Sequence, residues 1–171
     1  MERVWLFDHL AVTVARVDFV DPALVGEPDV RERGVRIEVR RVATEAAGSV
    51  YASPTHVLRP ALCRIDLLES APGAADRMHW HPGMESGEPG ERVFDPDLPA
   101  HPVGWLAAYL RGLGDHLAAA GAPDVVDLTA DLEAVRAAVQ EIGATVEGGL
   151  AWARTPWPEV EHDERGMATT R

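Results

Sequence analysis

Two histidines, His79 and His81, stand two residues apart in the run Asp76-Arg77-Met78-His79-Trp80-His81-Pro82-Gly83-Met84-Glu85. In an extended segment side chains alternate between faces, so both imidazoles project to one side about 7 Å apart and can converge on one cation. Glu85, beyond the Pro82-Gly83 turn, adds a carboxylate nearby. Neutral imidazole and carboxylate suit zinc, iron, manganese or nickel, and three protein ligands leave positions open for water or substrate. His56 on the adjacent strand segment is the candidate to complete the shell, with His101 and His9 as alternatives. Taken singly, each reads more simply as a surface or satisfied core histidine. A His-x-His pair also arises by chance in a chain of this size.

Other chemistry is less well marked. Glu85, Glu88, Glu91, Asp95 and Asp97 make an acidic loop, in which Glu91 and Asp95 are candidates for proton transfer in a metal-assisted reaction. An acidic solvated loop is the ordinary alternative in a chain carrying a formal charge of -12. Ser53, His56 and Asp66 form a triad on paper, but no Gly-x-Ser-x-Gly elbow is present to expose a nucleophile. The lone cysteine, Cys63, lies in an apolar strand-like segment and reads as a small buried thiol. Trp80, Trp105, Tyr109, Trp152 and Trp157 could line a pocket, although Trp105 and Tyr109 fall on a helical stripe and core packing is the default.

The elements that must hold these residues divide the chain into a strand half and a helix half. Leu10 to Val20 is rich in β-branched residues, with Val12 and Val14 on one face and Val17 and Phe19 on the other. Val35, Ile37 and Val39 alternate with Arg36, Glu38 and Arg40, as in a strand with one face on a core and one in water. In Val57 to Leu68, Cys63, Ile65 and Leu67 alternate with Arg64 and Asp66, and the turn at Ser70-Ala71-Pro72-Gly73 predicts a hairpin with residues 77–81. Residues 83–101 are expected to be a Gly- and Pro-punctuated loop, with a short strand at Arg92-Val93-Phe94. Trp105, Leu106, Tyr109, Leu110, Leu113 and Leu117 form one helical stripe, stopped by Gly121 and Pro123. Leu128, Leu132, Val135, Val139 and Ile142 form a second, with Asp127 or Thr129 as N-cap and Gly143 near its end.

With 171 residues and 46% hydrophobic content, the chain can bury one real core, and no composition break suggests two. A single domain over 1–155 is expected, followed by a charged, non-periodic and flexible tail over 156–171. The fold class is α+β, an antiparallel sheet from the N-terminal half packed against two C-terminal amphipathic helices. All sixteen cations are arginine, and the absence of lysine and asparagine resembles coding bias in a high-GC bacterium. The net charge opposes a polyanionic partner, because nucleic-acid binding is driven by cations that displace counterions. The N-terminus has no signal-like apolar region and no stretch approaches a membrane span, which predicts a cytoplasmic protein.

Gly73, His79, His81 and Glu85, at spacings of six, two and four, resemble the first metal-binding motif of the cupin superfamily. Those small β-barrels commonly hold a divalent metal on two histidines, a glutamate and a later histidine. The resemblance implies ligand roles for His79, His81 and Glu85. It stops after Glu85: Arg92 stands where the pattern has a glycine, and no second motif follows. Two functions are therefore in view. One is a small-molecule enzyme or binding protein with a single divalent metal; the other is a metal-free module that binds a partner or forms a homo-oligomer.

Overall fold

Alternation of apolar and polar residues sets the layers of the fold. The computed structural model describes residues 2–20, 31–45, 48, 51, 53–85, 87–122 and 128–159, with the backbone alone at 161–162 and 168–169. Strands β1 (Glu2–Leu6), β2 (Leu10–Val20), β3 (Arg31–Glu45), β4 (Thr55–Glu69) and β5 (His79–His81) form an antiparallel meander in that order. Val35, Ile37 and Val39 of β3 and Ile65 and Leu67 of β4 point to one face and are buried. Their neighbours Arg36, Glu38, Arg64 and Asp66 form the other. A register shift between Val39 and Val42 marks a bulge in the long β3–β4 pair.

Among the described residues four helices follow: α1 (Asp97–Ala100), α2 (Pro102–Arg111), α3 (Leu113–Ala119) and α4 (Thr129–Ala153). The helices α2 and α4 pack together, and α4 lies against β2 and β3, so the apolar face of the sheet and the helical stripes share one core. The chain is α+β, as its residue pattern predicts. Truncating Leu110, which is 1% exposed in that core, to alanine is expected to destabilise the fold by about 2 to 5 kcal/mol, through lost burial and the cavity left behind. Urea unfolding measures this, and an unchanged midpoint would show that α2 is not packed as described.

Three local expectations need correction. The first helical stripe is broken at Gly112, which caps α2 and lets α3 start afresh toward the core. Gly143 does not end the second helix; α4 continues to Ala153. Packing explains its glycines: Gly143 lies against Val103, and a Cβ on Gly149 would sit 2.5 Å from Val35 Cγ2, so a bare Cα there permits close approach to the sheet. Thr129 is the first residue of α4 and Leu128 its N-cap, while Asp127 lies outside the described residues.

Past α4 the chain turns back onto the sheet. Trp157 donates to the Ala153 carbonyl, and Arg31 Nη1 donates to the Pro158 carbonyl at 2.6 Å. Two short ladders, β6 (Met84–Glu85) with β7 (Glu88–Pro89) and β8 (Glu161–His162) with β9 (Ala168–Thr169), complete the described elements. Among the described residues no helix is long and apolar enough to cross a membrane.

Candidate metal centre

The β4–β5 hairpin places Asp66 opposite His79, Ile65 opposite Trp80 and Arg64 opposite His81. One strand further in, Arg36 faces Asp66 and Glu38 faces Arg64. Two cross-strand rows result on the helix-free face, Arg36-Asp66-His79 and Glu38-Arg64-His81. Between the histidines, Trp80 turns to the opposite face and packs against Trp105 and Tyr109. The Val93 backbone pairs with Trp80 and closes the edge of the hairpin, where a short strand at Arg92-Val93-Phe94 is expected from sequence.

Asp66, His79 and His81 are all buried, and one potential ligand atom from each lies within 4.8 Å of the others. His79 Nδ1 donates to the Arg77 carbonyl at 2.8 Å; His81 Nδ1 donates to the carbonyls of Gly90 at 3.0 Å and Glu91 at 3.2 Å. In the neutral rings these bonds put the proton on Nδ1 and leave the Nε2 lone pair free. Both Nε2 atoms face Asp66 Oδ2, at 3.6 Å from His79 and 3.9 Å from His81. Donor atoms about a tetrahedral zinc are roughly 3.3 to 3.6 Å apart, given bonds of about 2.0 to 2.2 Å. The cluster can therefore hold a metal ion after small adjustments.

Electrostatics favour the unprotonated form at one member of the cluster. Burial, with the nearby Arg92 charge adding to it, holds His79 below the ordinary histidine pKa despite the carboxylate of Asp66. Neutral His79, neutral His81 and ionised Asp66 would aim three electron pairs at one point, an arrangement that a cation turns from repulsive to attractive. Asp66 Oδ1 is separately engaged by Arg36 Nε at 2.6 Å, which orients the carboxylate and leaves Oδ2 for the imidazoles.

Beside the cluster is an open cleft of about 350 Å³ lined by polar side chains. Arg64 borders it with Nε on Glu38 Oε1 at 2.9 Å, and Arg40 holds the other Glu38 oxygen. Burial opposes the Glu38 charge, yet these two arginines hold its carboxyl below the usual range. The side chain lies in the same polar layer as the cluster, beside Arg64 at the border of the cleft.

In comparisons with protein-family models, curated proteins and solved structures, nothing matches this chain. The site stands on its own geometry.

The remaining candidates are dispersed. Glu85 is exposed in the β6–β7 ladder and is not among the three clustered ligands. His56 is exposed near the start of β4, hydrogen-bonded to Thr44, about 30 Å along the strand from Asp66 at 3.3 Å per residue. That separation also takes apart the paper triad of Ser53, His56 and Asp66. His101 links α1 to α2, and His9 meets Asp131, whose Oδ1 accepts the backbone N–H groups of His9 and Leu10 and pins the first turn of α4.

Neither proposed proton-transfer carboxylate lines the cleft. Asp95 accepts from Trp105 Nε1 at 2.8 Å and from the Asp97 N–H at 2.9 Å, bonds that hold its carboxyl below the usual range and tie it to the aromatic side of the sheet. Glu91 touches the site through its carbonyl, while its side chain is exposed. Cys63 is buried, and burial pushes its thiol up to about 11, which suits a packing role.

Asp66 is the candidate ligand that spacing around the histidines misses. The available signal was the hairpin: alternation places Asp66 on the polar face of β4, and antiparallel pairing brings that face alongside the two histidines.

Proposed function

We propose that the protein carries one divalent cation on His79, His81 and Asp66 and acts on a small molecule in the adjoining cleft. The observation that carries this reading is the convergence of both Nε2 atoms on Asp66 Oδ2, with each Nδ1 already committed to a backbone carbonyl. Two imidazoles and one carboxylate suit zinc, iron, manganese or nickel, and leave coordination positions toward the cleft. In this arrangement Asp66 takes the carboxylate part that the cupin-like spacing assigned to Glu85. A cation held there would polarise a substrate oxygen as a Lewis acid. The protein's own contribution is to fix the imidazoles through Arg77, Gly90 and Glu91 carbonyls and to orient Asp66 through Arg36.

Metal analysis of protein purified without a histidine tag tests the proposal. About one equivalent of a divalent metal, removed by chelator and restored on addition, is the expected result. Protein that neither contains nor takes up zinc, iron, manganese or nickel would instead favour the metal-free reading. In that alternative the Arg36–Asp66 pair is structural and the exposed Val4 and Leu6 of edge strand β1 meet a second copy.

A further inference from the structure

The chain is acidic, yet its polar cleft is bordered by Arg36, Arg64 and Arg92. Arg36 and Arg64 each give Nε to a carboxylate, Asp66 and Glu38 respectively, and their terminal Nη groups make no hydrogen bond among the described residues. The guanidinium of Arg92 makes no hydrogen bond or ion pair there at all, and it lies close enough to His79 for its charge to be felt on that ring. Glu32, the remaining carboxylate of the cleft, is shared with Arg77. An exposed arginine beside a divalent cation is repelled by it, and water screens that repulsion only in part. An anion placed between the two offsets the repulsion and meets the free guanidinium donors in the planar geometry they favour. At about 350 Å³ the cleft suits a small ligand.

We infer that this cleft binds a small oxygen-bearing anion, a carboxylate or a phosphoryl group, held chiefly by Arg92 with the Nη groups of Arg36 and Arg64 assisting. This names the ligand class for the proposed metal centre and rests on that reading for the part played by the cation. Phe94, 64% exposed with its ring centroid 5.8 Å from that of His79, lines a neighbouring pocket that shares Glu32, His79 and Arg92 with the cleft, and there it offers apolar surface for the body of such a molecule.

Calorimetric titration of malonate and of inorganic phosphate into the full chain tests the inference, with neutral malonamide as control. Metal-loaded and chelator-treated protein are titrated in parallel, for wild type and for Arg92→Gln. Arg92 is exposed and its side chain makes no hydrogen bond or ion pair among the described residues, so this variant is expected to keep wild-type stability and metal content. At least one anion should bind metal-loaded wild type and bind Arg92→Gln about tenfold more weakly, the effect of losing a charge-assisted contact. Malonate alone identifies a carboxylate ligand, phosphate alone a phosphoryl ligand, and malonamide should not bind.

Equal affinity in wild type and Arg92→Gln, no binding of either anion, or equal binding of malonamide would each overturn the inference. Metal content measured on the same samples judges the metal centre separately. If no metal is held, the titrations without metal decide the anion site through the same Arg92 comparison.

Discussion

Replacing His81 with alanine is expected to abolish tight divalent-metal binding and, with it, any difference in melting temperature between metal-supplemented and chelator-treated protein. In wild type, a cation that binds only the native state at a free concentration of about 100 times its dissociation constant adds about 2.7 kcal/mol of stability. For a domain of this size that corresponds to roughly 5 to 10 °C. His81 is central because its Nδ1 is held by two carbonyls, while among the described residues its Nε2 faces Asp66.

The same measurement has a pH signature. A proton competes with the metal for each imidazole, so affinity should fall with acidification. Because burial lowers the pKa of His79, that ring stays available for metal below the ordinary histidine value of about 6.5, and its share of the loss should begin only at lower pH. Wild type and His81→Ala melting alike with and without each of the four metals would remove the metal centre from consideration.

The second large effect separates two carboxylates. Asp66→Asn is expected to weaken metal binding about 100-fold or more, on the order of the largest losses seen even for outer-shell partners of a metal site, because it removes the anionic oxygen facing both imidazoles. Glu85→Gln should leave affinity within about twofold, since an exposed charge outside the cluster acts only through screened long-range attraction. Arg36 loses its anionic partner in Asp66→Asn, but that side chain is partly open to water, and the melting temperature in chelator reports any cost to the fold. A reversed result, with Glu85→Gln losing the metal and Asp66→Asn retaining it, would restore the ligand set implied by the cupin-like spacing and discard the one built on Asp66.

His79 and His81 share a face because successive strand residues alternate, and no tertiary information is needed for that. Periodicity likewise determined the core: Val35, Ile37 and Val39 must turn away from Arg36 and Glu38, and Leu106, Leu110 and Leu113 must line one side of the helical segments. Periodicity could not place the helix boundaries, since the glycines at 112 and 143 look alike as stop signals. Only the packed neighbours show that Gly112 caps a helix while Gly143 and Gly149 permit close contact within one.

The third member of the cluster likewise belonged to the tertiary structure. Glu85 is nearer in sequence to the histidines than Asp66, but the chain turns at Pro82-Gly83 and carries Glu85 onto an exposed ladder. Asp66 is brought in by the β4–β5 register, which the connection between those strands sets. Because strand side chains alternate with a period of two, a slip of one residue would have turned Asp66 into the core and Ile65 or Leu67 toward the imidazoles. Residue types and alternation thus determined which groups could bind a cation and which face they occupy; long-range pairing decided which carboxylate reaches them and which arginines surround it.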